Sequence, residues 1–124
     1  MVDRTIPADD DAPREARELL TELRNSLDLG QERLADLYVA LSELVTNAVM
    51  HGPGGQIVVR LAAKNDIMRF EVQDEGVSSF DWSSAIADGH WGLALVEAFS
   101  DRCGIDHRPS TVVWCDIDLT AAPA

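Results

Sequence analysis

Residues 67–74 read IMRFEVQD, and their alternation decides the architecture. Met68, Phe70 and Val72 share one face while Arg69, Glu71 and Gln73 share the other, the period-two pattern of a half-buried strand. A sheet with one apolar face needs a covering layer, and the flanking segments supply helical patterns. Asp74 has the parity of the apolar set, so a strand that continues regularly carries a carboxylate toward the covered face. Two readings stay open. Asp before Glu-Gly begins turns and can bend out to water. Alternatively Asp74 accepts a hydrogen bond from a ligand amine, and Gly76 lets the backbone pass close to something flat.

Outward from this strand, QIVVRLAA (56–63) joins it through the turn KND, and VDRTIP (2–7) suits an edge strand. In TVVWCDIDL (111–119), Thr111, Val113, Cys115, Ile117 and Leu119 alternate with Val112, Trp114, Asp116 and Asp118. Residues 9–30 predict a first helix, with Asp11 at the N-cap, Pro13 in the first turn and Gly30 as terminator. A second helix is expected from about Gln31 to His51, stopped by GPGG. The stretch 75–91 is polar and irregular, and GLALVEAFSDRC (92–103) predicts a third helix ending at Gly104. This order implies an α+β fold, a two-layer α/β sandwich with three main helices on one face of a mixed, largely antiparallel sheet. A length of 124 residues fits a single domain spanning 1–124.

Composition excludes several classes. With 22 acidic against 10 basic residues the net charge is -12, which repels a phosphate backbone and argues against direct nucleic-acid binding. Such a surface suits a basic protein partner, or serves solubility alone. No apolar run is long enough to span a membrane, and the start, MVDRTIPADDDAP, lacks signal-peptide regions. Cys103 and Cys115 form no metal-type spacing, so a reduced, cytoplasmic protein is expected.

Two further stretches carry chemistry. In ELVTNAVMHG (43–52), Glu43, Asn47 and His51 recur every four residues as a polar row on an otherwise apolar helix. Such a row can be a solvated boundary. It can also be a site, because an Asn oxygen is a hard ligand suited to Mg²⁺ and a carboxylate one turn earlier can deprotonate a hydroxyl. His51 suits the helix C-terminus as a cap. In DGHWGLALVEAF (88–99), Gly89 and Gly92 flank a helix start whose free N–H groups can receive phosphate.

In order and spacing, ELVTNAVMHG, VQDEG and WGLALVEAFSDRCG resemble the N, G1 and G2 boxes of GHKL (Bergerat-fold) ATP-binding proteins. Within that group the chain looks like the stand-alone bacterial anti-sigma factor serine/threonine kinases. The resemblance implies ATP and Mg²⁺ as ligands. By it, Asn47 would hold Mg²⁺ on the phosphates and Glu43 would act as base toward a serine or threonine hydroxyl. Asp74 would bind the adenine amino group with Gly76 beside the ring, and Gly92 and Leu93 would start the helix under the phosphates. His51 and Gly89 are counted with these nucleotide-binding residues. It further implies a homodimer that binds a sigma factor and phosphorylates a small antagonist protein of the STAS type.

The chain departs from the family pattern in one region. The family carries Gly-x-Gly-Leu, whereas here the order is Gly89-His90-Trp91-Gly92-Leu93. The expected lid, about 77–91, contains no Lys or Arg, so a cation for the transferring phosphoryl group would come from Mg²⁺, His90 or a partner chain. Two functions follow as expectations: an ATP-dependent kinase, or a module that sequesters a regulatory partner without transferring phosphate.

Overall fold

The computed structural model describes residues 1–26, 33–76, 91–106 and 110–120, the side chains of 91–93 excepted. Strand β1 (Val2–Pro7) leads to helices α1 (Ala12–Asn25) and α2 (Leu34–His51). Strands β2 (Gln56–Lys64) and β3 (Ile67–Gln73) follow, then helix α3 (Trp91–Phe99) and strands β4 (Arg102–Asp106) and β5 (Val112–Asp118). The strands form one sheet in the order β1-β2-β3-β5-β4, with β1 at an edge as its short amphipathic run suggests. All four adjacent pairs are antiparallel, where the sequence pointed to a mixed sheet.

The two layers follow from register. Leu61 pairs with Phe70, Phe70 with Cys115, and Met68 with Ile117, so residues of one parity stack across the sheet. All of them are fully buried, together with Leu20 of α1 and Leu37, Leu41, Leu44 and Val45 of α2. The hairpin between β2 and β3 turns on Asn65 and Asp66, whose φ angles of 54° and 63° give the left-handed pair that matches strand twist. Asn and Asp tolerate that conformation better than other non-glycine residues.

One helix cap and two element boundaries differ from expectation. Asp11 occupies the N-cap of α1 but makes no side-chain cap. Asp9 does that work, accepting the Asp11 N–H on Oδ1 at 2.9 Å and the Ala12 N–H on its carbonyl at 3.1 Å. Helix α1 then stops at Asn25, because the N–H and hydroxyl of Ser26 both bond the Leu23 carbonyl and close the last turn. Gly30, the expected terminator, lies outside the described residues, as do 31 and 32 before α2.

The third correction adds a strand. Helix α3 was expected to run to Cys103, yet it ends at Phe99, and residues 102–106 form β4 at the sheet edge. Ser100 Oγ donates to the Val96 carbonyl at 2.6 Å, and the Asp101 N–H donates to the Asp116 carbonyl at 2.9 Å. The chain therefore leaves the helix directly into sheet bonding. Gly104 is a strand residue rather than a helix stop, since a Cβ there would lie 3.0 Å from the Trp114 indole. A buried cation fixes the same corner: Arg33 pairs with Asp36 at 3.1 Å and donates to the Phe99 carbonyl at 3.3 Å. The start of α2 is thereby tied to the end of α3.

Candidate functional site

Strand β3 delivers Asp74 as its alternation predicts. The residue is 8% exposed and continues the core-facing parity one position beyond the strand. Both readings of DEG hold together. Asp74 Oδ1 accepts the Gly76 N–H at 2.9 Å, which is a local turn, yet the carboxylate stays inside. Asp74 Oδ2 makes no hydrogen bond among the described residues, and it faces the end of α2, 3.3 Å from where a Cβ on Gly52 would stand.

Asp74 shares a narrow cleft with Asn47, Ala48, His51, Gly52, Val72, Thr111 and Val113. The space within it is about 10 Å³, room for the edge of a ring or one water rather than a whole ring. Its walls combine the apolar Ala48, Val72 and Val113 with the polar side chains of Asn47, His51, Asp74 and Thr111. The C-terminal end of α2, which carries partial negative charge, opens beside the free oxygen of Asp74. A carboxylate next to a helix C-terminus favours a guest that brings N–H donors, such as an exocyclic amine.

The polar row of α2 is divided by this geometry. Asn47 is 7% exposed and lines the cleft, yet its side chain makes no hydrogen bond among the described residues. A buried carboxamide without such a partner is a group available to a ligand. His51 lines the cleft mouth as the last residue of α2 and is exposed. Glu43, one turn before Asn47, is half-buried, does not line the cleft, and makes no side-chain hydrogen bond among the described residues.

The glycines have local causes. A Cβ on Gly76 would lie 3.1 Å from Pro53 Cγ, so packing against Pro53 already requires a small residue there. Gly89 lies outside the described residues, as does the expected lid at 77–90; Trp91, counted with that lid, is the first residue of α3. Gly92 and Leu93 are helical residues in the first turn of α3.

Two cleft residues escaped the sequence reading. A Cβ on Gly52 would sit 2.5 Å from the Ala48 carbonyl, so only glycine lets the chain leave α2 against Asp74. Thr111 is 3% exposed, and its carbonyl accepts the Asp74 N–H at 3.0 Å while its own N–H donates to the Gly76 carbonyl at 2.9 Å. Gln73 pairs with Val112, so one step further along the same register Thr111 stands opposite Asp74. For Thr111 a partial signal existed, a polar residue with core parity just before its strand, but nothing local pairs it with Asp74.

A helix row ending at a cleft, a buried acceptor after the central strand, and a following helix make up the candidate site of this α+β domain. The chain belongs to the histidine kinase-like ATPase domain family, whose model matches residues 6–115. It is similar to the "Anti-sigma F factor" of Shouchella clausii, 32% identical across 88% of this chain and 86% of that protein. The "Serine-protein kinase RsbW" of Oceanobacillus iheyensis is 26% identical across 90% of this chain and 82% of its own length. Among solved structures, the RsbU and RsbW domains of Rv1364c from Mycobacterium tuberculosis superpose with a TM-score of 0.71 at 29% identity, over 99% of this chain. The chain spans about a third, 34%, of that longer protein.

Proposed function

We propose that this protein is a cytoplasmic, anti-sigma factor-like regulator that uses Mg-ATP to phosphorylate a serine or threonine of an antagonist protein, and that it also sequesters a sigma factor. The observation that carries the reading is the Asp74 oxygen, unbonded among the described residues, in a narrow cleft beside the end of α2. The names of the relatives, anti-sigma F factor and serine-protein kinase, support the partner classes. A STAS-type antagonist and a homodimeric form complete the proposal.

In this reading Asp74 accepts from the adenine amino group at the floor of the cleft, and Thr111 lies beside it. Asn47 fits as a single Mg²⁺ ligand, because its carboxamide is buried, unengaged among the described residues and on the cleft wall. Mg²⁺ keeps most of its water and takes only one or two protein oxygens, and when bound it neutralises charge on the phosphates. Glu43 is the base toward the acceptor hydroxyl. It stands between Val39 and Met50 on the α2 surface, 37% and 63% exposed, so a hydroxyl presented by another protein can reach it. His51, Gly76, Gly89, Gly92 and Leu93 complete the proposed nucleotide contacts.

A second reading, sequestration without phosphate transfer, is favoured by one fact: between Arg69 and Arg102 the chain has no Lys or Arg. Two substitutions separate the metal role from the base role. Asn47→Ala should abolish the Mg²⁺-dependent part of ATP affinity. Glu43→Ala should leave binding nearly intact and slow transfer to the antagonist by about 10²–10⁴-fold. Transfer at the wild-type rate in Glu43→Ala would remove Glu43 from catalysis. A wild type that binds ATP and antagonist without any transfer would favour sequestration.

A further inference from the structure

Cys103 on β4 and Cys115 on β5 are register partners, directly opposite each other across the antiparallel pair. Opposed Cα atoms in such a ladder lie about 4.5–5.5 Å apart, inside the range of roughly 4.4–6.8 Å that a disulfide spans. Both side chains take the helix-facing side of the sheet, Cys115 within the core and Cys103 packed against it. Both are free thiols, and neither lines the cleft. Strand β4 is five residues long and lies at the sheet edge, where one row of backbone groups has no strand partner among the described residues.

We propose that Cys103 and Cys115 are a modification site, closing a reversible cross-strand disulfide when the protein meets a small-molecule disulfide oxidant such as glutathione disulfide. Exposure sets the order of events. Cys103 is half-buried and Cys115 is wholly buried, so Cys103 reacts first. Its thiolate attacks one sulfur of glutathione disulfide, the S–S bond breaks, and one glutathione leaves as a thiolate that takes up a proton. The Cys115 thiolate then attacks Cys103 Sγ and releases the second glutathione. Two protein thiols lose two protons and two electrons, and one glutathione disulfide becomes two thiols.

Burial pushes the Cys115 thiol up to about 12, and burial with the nearby Glu97 charge raises Cys103 as well. Few thiolates exist while the sheet is closed, so exchange runs through fraying of the edge strand. The resulting bond joins β4 to β5 under the end of α3, where Ser100 contacts the Cys115 thiol.

The full chain, first reduced, is incubated in mixtures of glutathione and glutathione disulfide from reducing to oxidising. Samples are quenched in acid, unfolded, alkylated and weighed by intact mass spectrometry. The expected product is a monomer lighter by two hydrogens with neither cysteine alkylated, restored to two alkylated thiols by dithiothreitol. Cys103→Ser, which alters only the half-buried position, should yield no such species and leave Cys115 alkylatable. The proposal is overturned if the wild type keeps both thiols throughout, stops at a glutathione adduct on Cys103, or crosslinks only between chains. No nucleotide or partner enters this experiment, so its outcome is independent of the kinase reading.

Discussion

Asp74 commits one oxygen to the local turn and leaves the other toward the cleft. Oδ1 holds the Gly76 turn at 2.9 Å, and Oδ2 is left toward the cleft. Asp74→Asn keeps a carbonyl oxygen for one role and replaces a charged acceptor in the other. It should weaken ATP binding by about 1.5–3 kcal/mol, the range for a hydrogen bond to a charged group. Titration calorimetry showing equal affinity in both proteins would take Asp74 out of the adenine site. Asp74 was legible because strand alternation is a local rule, and one miscounted residue would have reversed its direction. Asn47 was legible from helical spacing for the same reason. Gly52 and Thr111 were not, because their roles depend on which strand end and which helix end are brought together. Gly52 looked like one of several glycines stopping a helix, and only its 2.5 Å approach to the Ala48 carbonyl distinguishes it.

Among the elements, β4 shows why sequence periodicity failed locally. Leu93, Val96, Phe99 and Cys103 fit a helix stripe, and Gly104 fits a helix stop, so the pattern continued past the true end. The strand instead follows from contacts on the outer sheet face. Asp116 of β5 accepts a two-bond fork from Arg69 of β3 at 2.7 and 3.0 Å, and a further bond from Arg102 of β4 at 2.9 Å. Both guanidiniums also lie over the Trp114 ring, 4.5 and 5.9 Å from its centroid. Arg69 above all, with Arg102 and their charges adding, holds the Asp116 carboxyl below its ordinary range despite opposing burial. A carboxylate with a depressed pKa contributes stability above the ordinary value near 3.9, and that stability is lost as pH falls through the folded value. Arg102 is 71% exposed and Arg69 39%, so solvent screens part of the gain. Asp116→Asn should therefore cost about 1–2 kcal/mol at neutral pH, and the gap to wild type should narrow below about pH 4. Urea denaturation at a series of pH values measures it; a gap unchanged at low pH would contradict the ion-pair account.

For the molecule as a whole, charge sets a limit on its chemistry. The net charge is -12, and the 32 residues between Arg69 and Arg102 contain no Lys or Arg, so the chain brings no arginine or lysine of its own from that region to a γ-phosphate. One missing charge-stabilising contact costs on the order of 10²–10³-fold in rate. Transfer by the isolated protein should accordingly be slow. His90→Arg should raise the transfer rate if the rest of the machinery is intact, measured with labelled ATP and the antagonist. A His90→Arg protein that binds ATP, engages its antagonist and still transfers nothing would point to sequestration. The fold class itself was legible at this scale, because helix and strand patterns alternate in an order that two layers satisfy. The wholly antiparallel sheet was not, since strand order depends on where β5 inserts.

That insertion has a consequence in time. Strand β5 is the last in sequence, yet it lies between β3 and β4. As the chain leaves the ribosome from its N-terminus, β3 shows a bare hydrogen-bonding flank, and β4 stays unattached, until residues 112–118 emerge. Thr111 and Val113 also form one wall of the cleft. From the completion of β3 until then, nascent chains therefore carry an apolar half-sheet with one wall of the cleft missing, and the cleft is completed almost at once, with the closing strand.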